Sequence, residues 1–523
     1  MSKASSPAGW VWARRARVLS QVLFLLLALA LLFAGLSGRP LFALADGFFR
    51  LNPLSALTSM LAARAWIPRL APALFVVALT LLLGRVWCGW ICPMGTLLEW
   101  VRIPGAARRA ARLSPRWQAA RQALLVIILG AALLGNLSLL FLDPIALFTR
   151  GMTTVILPAF DRAVTAIESA LYGLPLFSPA VDWLESVLRG PILPAERLVF
   201  NGSIGLALLL AGVFALNALS ERFWCRFICP LGALLGWISR FALLRPLMGD
   251  ACSGCARCSR ACPVGAIHPV AASGAHEAPL AVAASECVMC LDCLAACRQG
   301  EMRFGAARPL LRPAPVEGQG GADLTRREAL GALAAAAAGV LLVETDVRSK
   351  LPDSRLVRPP GAQDEAAFLS RCLRCAECIR ACPTGGLQSS LSEAGLQGLL
   401  TPRLAPRLGY CDYGCNACGQ VCPSGAIPFL ELEAKRETAI GVAVVDRNRC
   451  LPWSYQTPCI VCEEMCPRPQ KAIRLEEVVV QTETGEITLQ RPVVLRDLCI
   501  GCGICEYQCP LRGDAAIRVH QVI

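Results

Sequence analysis

Cysteine carries the chemistry of this chain. Between Cys252 and Cys297 it recurs as Cys252-x2-Cys255-x2-Cys258-x3-Cys262-Pro263 and, after a spacer, as Cys287-x2-Cys290-x2-Cys293-x3-Cys297. Two residues between thiols let one short loop aim three of them at a single cube of iron and sulfide, while the fourth reaches a neighbouring cube. On that rule Cys252, Cys255, Cys258 and Cys297 hold one 4Fe-4S cluster, and Cys287, Cys290, Cys293 and Cys262 hold another. Crossed ligation of this kind sets two cubes side by side for electron transfer. Zinc sites leave a longer gap between two Cys-x2-Cys pairs, which sets that reading aside. Arg298 stands where the pattern has a second proline.

Four further groups follow. Cys372, Cys375, Cys378 and Cys382 before Pro383, and Cys499, Cys502, Cys505 and Cys509 before Pro510, keep the standard spacing. Cys411-x3-Cys415-x2-Cys418-x3-Cys422-Pro423 is longer by one residue, and Cys450-x8-Cys459-x2-Cys462-x3-Cys466-Pro467 opens with a long loop. Disulfides are the competing use of these sixteen thiols, but neighbours two apart rarely reach bridge geometry. The expected complement is six 4Fe-4S clusters. The spacing leaves two pairings open in the C-terminal part: third group with fourth and fifth with sixth, or outer with outer and inner with inner.

Of 28 cysteines, four remain, and they lie in an internal repeat. RVWCGWICPMGTLLEW from Arg85 aligns with RFWCRFICPLGALLGW from Arg222, ten of sixteen positions matching. Cys88 and Cys92 correspond to Cys225 and Cys229. Four residues apart on a helix, each pair shares a face, and Pro93 or Pro230 ends or restarts the helix beyond it. Soft thiolate pairs in a reducing compartment suit a metal or redox site; the bland reading is a packing motif of small buried residues.

A membrane domain must position these thiols. Hydrophobic residues make up 55% of 523, charged residues 17%, and mean hydropathy is +0.52, the balance of a membrane protein with soluble modules. Spans are expected over Val18–Leu36 and about Ala71–Trp87, Ala123–Leu142 and Ser203–Leu219. Arg14, Arg15 and Arg17 precede the first, and Arg102, Arg108, Arg109, Arg112, Arg116 and Arg121 separate the second from the third. The positive-inside rule makes that side cytoplasmic. It then also holds the Cys252–Cys297 module, while the loop from Asp143 to Asn201, with an amphipathic stretch Pro158–Tyr172, lies outside. Residues 306–322 read as a linker. Thr325-Arg326-Arg327-Glu328 before the alanine-rich run to Val343 resembles the twin-arginine address for export of folded proteins. It is expected as an uncleaved fifth span that carries the C-terminal clusters outside; a buried alanine helix, leaving them inside, is the alternative.

The fold class expected is therefore an α-helical membrane domain, with four spans and a fifth twin-arginine-type anchor, joined to α+β bacterial-ferredoxin-like domains. Its divisions are residues 1–245, a two-cluster module at 246–305, linker and anchor at 306–343, and a four-cluster domain at 344–523. No Cys-x-x-Cys-His is present for covalent haem. His268, His276 and His520 lie outside the spans, and no strand-led dinucleotide fingerprint occurs. Basic runs with interleaved aromatics are missing, which excludes nucleic acid as a partner. Arg257, Arg260, Arg371, Arg374 and Arg380, beside cluster cysteines, are candidate tuners of potential.

Residues 1 to about 305, with the spans, the two Cys-x3-Cys-Pro repeats and the double module, resemble the NapH/MauN family of membrane ferredoxin-type proteins. Residues from about 323 on, with the twin-arginine start and the Cys-x8-Cys variant, resemble the NapG/MauM family. The resemblance implies a fusion acting as a quinol dehydrogenase module in a bacterial inner membrane. Quinol from the quinone pool would be the substrate, and a periplasmic c-type cytochrome or a reductase such as nitrate reductase the acceptor. Two other roles fit the same residues: electron delivery during maturation of an amine dehydrogenase or copper enzyme, and a scaffold with structural clusters. No residue pattern marks a quinone site or a catalytic residue.

Overall fold

The computed structural model describes residues 7–36, 40–105, 116–172, 178–189, 199–249, 252–269, 280–306, 324–346, 353–362, 364–482 and 485–521. Arg108, Arg109, Arg112, His276 and nearly all of the linker lie outside them. The chain divides into two compact units. The first gathers Met1–Leu31, Gly47–Gly151 and Gly205–Leu341; the second gathers Leu32–Asp46, Met152–Ile204 and Leu342–Ile523.

The longer helices, in chain order, are α1 Pro7–Leu36, α2 Pro53–Ala63, α3 Ala73–Leu83, α4 Pro93–Trp100, α5 Arg116–Leu133, α6 Pro144–Gly151, α7 Leu157–Tyr172, α8 Ser178–Leu188, α9 Ser203–Ala215, α10 Pro230–Ser239 and α11 Arg326–Glu344. Among the described residues one helix, Trp12–Gly35, is long and apolar enough to cross a membrane; the helices at the other expected spans are shorter. Gly84, at φ 69°, stops α3 well before Trp87. Gly135, at φ 81°, turns the chain after α5, which starts earlier than expected and ends at Leu133. The fourth stretch passes into a tight turn, Leu216–Ala218, after Ala215.

Two buried helices that hydropathy does not reveal, α2 and α6, are built alike. Asn52 caps α2, its side-chain oxygen accepting from the Leu54 and Ser55 N–H groups at 3.0 and 3.4 Å. Asp143 caps α6, accepting from Ile145 and Ala146 at 2.9 and 3.2 Å. A proline occupies the first helical position of each, where no N–H is needed. The caps also meet: Asn52 Nδ2 donates to Asp143 Oδ2 at 2.8 Å, both side chains buried. The segment from Asp143, expected outside, thus begins with a helix whose eight residues are all buried in the first unit. The caps extend the internal repeat, so that α1–α4 and α5, α6, α9 and α10 form two equivalent halves. The repeat offset grows from 91 at the caps to 137 at the cysteines because α7 and α8 are inserted into the second half.

The twin-arginine stretch forms α11. Thr325 and Glu328 close a reciprocal capping box, with Thr325 N to Glu328 Oε2 at 2.9 Å and Glu328 N to Thr325 Oγ1 at 3.2 Å. Ala332, Ala336 and Val340 recur every four residues and are buried. Gly130 of α5 meets this face: a Cβ there would stand 3.0 Å from that of Ala336.

Two antiparallel strand pairs frame the Cys252–Cys297 module: β1 (Leu244–Met248) with β4 (Met302–Ala306), and β2 (Ile267–Pro269) with β3 (Leu280–Val282). In the second unit β5 (Leu387–Ser389) pairs β6 (Pro402–Leu404), and β7 (Val442–Val445) pairs the terminal β10 (Ile517–His520). A longer hairpin, β8 (Ile473–Thr482) with β9 (Gly485–Val494), separates the last two cysteine groups. The stretch expected to be an amphipathic helix is α7, tied to α8 by Arg189, which pairs with Glu168 at 2.6 Å and Asp161 at 3.5 Å.

Candidate iron–sulfur and thiol sites

The standard cysteine loops share one backbone device. In each Cys-x2-Cys-x2-Cys run, the residue before the second cysteine and the residue after it take positive φ: Gly254 and Ala256, Met289 and Leu291, Arg374 and Ala376, Gly501 and Gly503. Five of these eight carry side chains, for which that conformation costs roughly 1–2 kcal/mol each. Such strain persists where the surroundings impose it. Here it curls three thiols towards one point.

The thiols come together as the crossed rule requires in the Cys252–Cys297 module. Cys258 faces Cys252 and Cys297, while Cys262 joins Cys287, Cys290 and Cys293. In the second unit the open pairing resolves as third with fourth and fifth with sixth. Cys422 crosses to Cys372, Cys375 and Cys378. Cys382 joins Cys411, Cys415 and Cys418 around a cavity of about 400 Å³ including its mouth. A cavity lined by Cys450, Cys459, Cys462 and Cys509 takes one thiol from the sixth group, and its neighbour, lined by Cys466, Cys499, Cys502 and Cys505, takes one from the fifth. These two cavities are otherwise mostly apolar, lined by residues such as Val445 and Val519. Backbone N–H groups point at the crossing sulfurs, Ile427 to Cys422 at 3.3 Å, Ala472 to Cys466 at 3.4 Å and Ala266 to Cys262 at 3.2 Å.

Burial, before any other cause, pushes the thiols up: Cys411 and Cys462 to about 12, Cys450 and Cys502 to about 11. A buried set of four can be thiolate only if a positive core replaces the protons. Apolar walls, N–H donors to sulfur and four convergent thiols suit a 4Fe-4S cube.

The middle two cavities adjoin. Cys411 N donates to Cys502 O at 2.8 Å, and the Tyr410 and Tyr507 rings lie 5.3 Å apart. Between them sits Lys435, buried, its ammonium donating to Asp412 O and acting on both the Cys411 and Cys502 thiols. Sequence reasoning missed it; a lysine in an ordinary charged turn of helix gives no signal. Of the expected arginine tuners, Arg374 is buried and donates to Cys372 O at 3.0 Å, and Arg380 is buried against Glu377. Arg260 is exposed and donates to the Cys255 and Ala256 carbonyls.

The two Cys-x3-Cys-Pro pairs are not faces of continuous helices, contrary to expectation. Cys88 lies in a wide turn, Trp87–Ile91, and Cys225 in the turn Phe223–Phe227. Cys92 and Cys229 are the N-caps of α4 and α10, because each following proline restarts the helix. The two halves exchange arginines. Arg222 Nη2 donates to Cys88 O at 2.7 Å and Gly95 O at 3.2 Å, and the Arg85 guanidinium lies against Gly232. A Cβ at Gly95 or Gly232 would stand 2.8 or 2.9 Å from those nitrogens, so a larger residue at either position would make the arginine shift. Each arginine faces a buried carboxylate with a second arginine behind it. Glu99 lies 3.7 Å from Arg222 and 2.9 Å from Arg17; Glu286, beside Arg85, pairs with Arg121 at 2.6 Å.

Glu286 belongs to the loop that presents Cys287 and Cys290, and that loop is clamped onto the first motif. Arg85 Nη1 donates to Ser285 O at 2.9 Å, Trp90 Nε1 to Met289 O at 2.9 Å, and Cys88 packs with Val288, Cys287 and Cys290. The indole N–H groups of Trp87 and Trp224, equivalent in the repeat, are buried without a hydrogen-bond partner among the described residues. An orphaned buried donor is costly, and this matched pair beside four thiols fits a bound group with acceptor atoms. Among the described residues no three thiol, imidazole or carboxylate groups close to the distances of a single bound ion.

A family model described as "4Fe-4S binding domain" matches residues 65–110 and again 203–249, the two halves that carry the Cys-x3-Cys-Pro pairs; one described as "4Fe-4S dicluster domain" matches residues 247–298. The methylamine utilization ferredoxin-type protein MauM of Paracoccus denitrificans is 38% identical over 205 residues, covering 38% of this chain and 87% of that protein. The ferredoxin-type protein NapG of Escherichia coli is 39% identical over 187 residues, 35% of this chain and 78% of that protein. MauN of Paracoccus denitrificans is a more distant relative, 27% identical over 202 residues, 38% of this chain and 54% of that protein. No solved structure matches the chain. On this likeness and these 4Fe-4S domains, the chain belongs to the MauM/NapG family of ferredoxin-type iron–sulfur electron-transfer proteins.

Proposed function

We propose that this chain is a quinol dehydrogenase module, a fusion of NapH/MauN-like and NapG/MauM-like parts that takes electrons from the quinone pool of a bacterial inner membrane to a periplasmic cytochrome or reductase. The carrying observation is the clamp between the first thiol motif and the loop of Cys287 and Cys290. It joins the membrane half to a cluster site by direct packing. Six 4Fe-4S clusters occupy the six crossed sites, and Cys88, Cys92, Cys225 and Cys229 hold a further iron–sulfur group. Bound there, such groups supply one-electron transfer. The protein's own part is to hold the thiolates, exclude water and set the local charge.

The four-span topology with a fifth anchor is supported by the composition of the second unit. Its three segments begin in the last residues of α1, after α6, and in the last residues of α11, the places where the topology has the chain outside. The fifth anchor is further supported by α11 itself, whose small face packs on α5 while Leu330, Leu341 and Leu342 stay largely exposed, as in lipid. The termini of the remaining spans are short helices and turns packed in the first unit, so the polar backbone at their breaks is buried in protein.

Anaerobic addition of a short-chain quinol to the purified chain in detergent tests the function, with cluster reduction followed by electron paramagnetic resonance. Reduction within seconds is expected, and its absence with clusters that dithionite does reduce overturns the quinol reading. A reporter active only outside the inner membrane, fused after Ile523 with Arg326 and Arg327 intact or changed to Lys, tests sidedness; an internal signal from the intact chain overturns the periplasmic donor. Likeness to methylamine utilization proteins favours a second reading, electron delivery during maturation of a partner enzyme. Sustained quinol turnover argues against it.

A further inference from the structure

The four cavities of the second unit form a series with two different ends. Crossed cysteines join the Cys372 site to the Cys411 site and the Cys499 site to the Cys450 site, and the Cys411–Cys502 contact joins the middle pair. At one end, the Cys372 group is held by segments that lead into the long helices. Arg380 Nη1 donates to Leu32 O, Phe42 and Ala45 pack on Ala381 and Val421, and Gln388 Nε2 donates to Val199 O at 2.9 Å. At the other end, the Cys450 site is covered by the eight-residue loop, of which Ser454 to Pro458 are exposed.

That loop is ordered by cation stacking. Trp453 lies between the guanidinium groups of Arg447 at 4.3 Å and Arg491 at 4.8 Å, and its indole N–H donates to Pro492 O at 3.2 Å. Tyr455 beside it is 62% exposed. From Arg447 to Cys462 the chain holds two arginines and no carboxylate. Arg512, next to Pro510 and Leu511 of the same cavity, adds another exposed cation. Of the carboxylates nearest in sequence, Asp446 accepts from Asn448 N–H at 3.1 Å, Glu463 pairs with Lys471 at 2.8 Å and Asp514 with Arg518 at 3.1 Å, while Glu464 is exposed beyond the end of the loop.

We propose that the Cys450-x8-Cys459 loop is the electron port of the second unit, and that it receives a one-electron carrier protein whose redox centre opens on a carboxylate-bearing face. The proposal takes from the function above only the outward direction of flow. In the step, one electron leaves the reduced chain and reduces the carrier's metal centre, with no bond made or broken. Charge complementarity of this kind raises association rates and makes them fall with salt.

The test uses the full chain in detergent, reduced with dithionite so that quinol plays no part, and mixed in a stopped-flow instrument with two protein acceptors of opposite face charge, acidic plastocyanin and basic cytochrome c. Plastocyanin is expected to react at least ten times faster, with a rate that falls as salt is added. The double variant R447E/R512E should invert the preference, while R257E/R260E, which changes exposed arginines of the other module, should leave it unchanged. Iron content and the resonance spectrum of each variant establish that its clusters are assembled. Equal rates for the two acceptors, an unaltered preference in R447E/R512E, or inversion by R257E/R260E instead would each overturn the port. Failure of the quinol experiment with success here would leave the port standing.

Discussion

The thiol quartet of the first unit and the cavities of the second use the same residue by opposite means. In the standard groups of the second unit, Cys372–Cys382 and Cys499–Cys509, one loop supplies three thiols, and paired left-handed residues such as Arg374 and Ala376 impose its curl. In the quartet each half supplies two thiols, one in a turn and one at the helix start after it, and arginines exchanged between halves hold the halves together. A loop site is specified locally. A site between repeats is specified by the repeat, so its parts are matched pairs: Arg85 with Arg222, Gly95 with Gly232, Trp87 with Trp224, and a buried glutamate for each arginine.

The strongest way to break the comparison is to remove thiols from each kind of site. Cys422→Ala should abolish the resonance signal of the Cys372 site and spare that of the Cys411 site, although Cys422 belongs in sequence to the Cys411 group. Loss of the Cys411 signal instead would refute the crossed pairing. Alanine at Cys88, Cys92, Cys225 and Cys229 together should lower iron by one cluster's share and stop reduction by quinol while dithionite still reduces the other sites. Unchanged iron and unchanged quinol reduction would leave the quartet a packing motif. Because burial raises Cys411 and Cys462 to about 12 and Cys450 and Cys502 to about 11, loading must displace protons, and reconstitution there should weaken as pH falls from 8 to 6.

The next effect is on how the halves are held. Glu286→Gln leaves Arg121 buried without its carboxylate partner, and breaking a buried pair this way costs about 3–5 kcal/mol. Thermal unfolding should shift by several degrees, and electron transfer between quartet and module should slow, because Glu286 belongs to the clamped loop. Glu99→Gln should destabilise comparably but slow that transfer less, since Glu99 lies outside the clamped loop and reaches the module through Arg17, which pairs with Asp292 at 3.4 Å. Equal slowing in both would mean that the glutamates are not specialised.

What the sequence makes legible follows from the same contrast. Every cysteine group, the arginine-led repeat and the helix at the twin arginine could be read from spacing, because each is local. The pairing of the last four groups could not, since Cys382 and Cys422 cross through space, and neither could the continuation of the repeat to Asn52 and Asp143. That continuation hides behind the inserted α7 and α8, and behind helices too short and too buried for a hydropathy reading. The spans were expected as unbroken runs, but Gly84 and Gly135 are invisible to an average over apolar residues. Lys435 shows the limit most plainly: its neighbours Glu433, Arg436 and Glu437 suggest a solvated turn, and only the fold turns it inward between two cavities.

Lys435 also supplies a finer contrast of charge. The quartet's arginines each face a carboxylate, whereas the Lys435 ammonium donates to a carbonyl and acts on thiols of two cavities. For a charge roughly 6 Å away at an effective dielectric near 20, Coulomb's law gives about 3 kcal/mol, on the order of 100 mV for one electron. Lys435→Met should therefore lower the midpoint potentials of the two middle clusters by about that much and leave the end clusters nearly unmoved. A uniform shift of all four would assign the lysine a structural role only.

The smallest effect expected is at the indoles. Trp87→Phe and Trp224→Phe keep an aromatic ring at each position, where Trp87 makes an edge contact with Phe48 at 6.3 Å, but remove the two orphaned donors and leave a small cavity. If those N–H groups serve a bound iron–sulfur group, each loss forfeits about 1.5–3 kcal/mol of hydrogen bonding to a charged partner. The quartet's potential should fall in each variant by a similar amount, and about additively in the double variant, because the two sites are related by the repeat. If they serve nothing, the spectrum and the potential should stay unchanged, because the cavity left by the smaller ring acts on thermal stability alone. The potential, and not the stability change, therefore decides whether the matched indoles belong to the site or merely to the repeat.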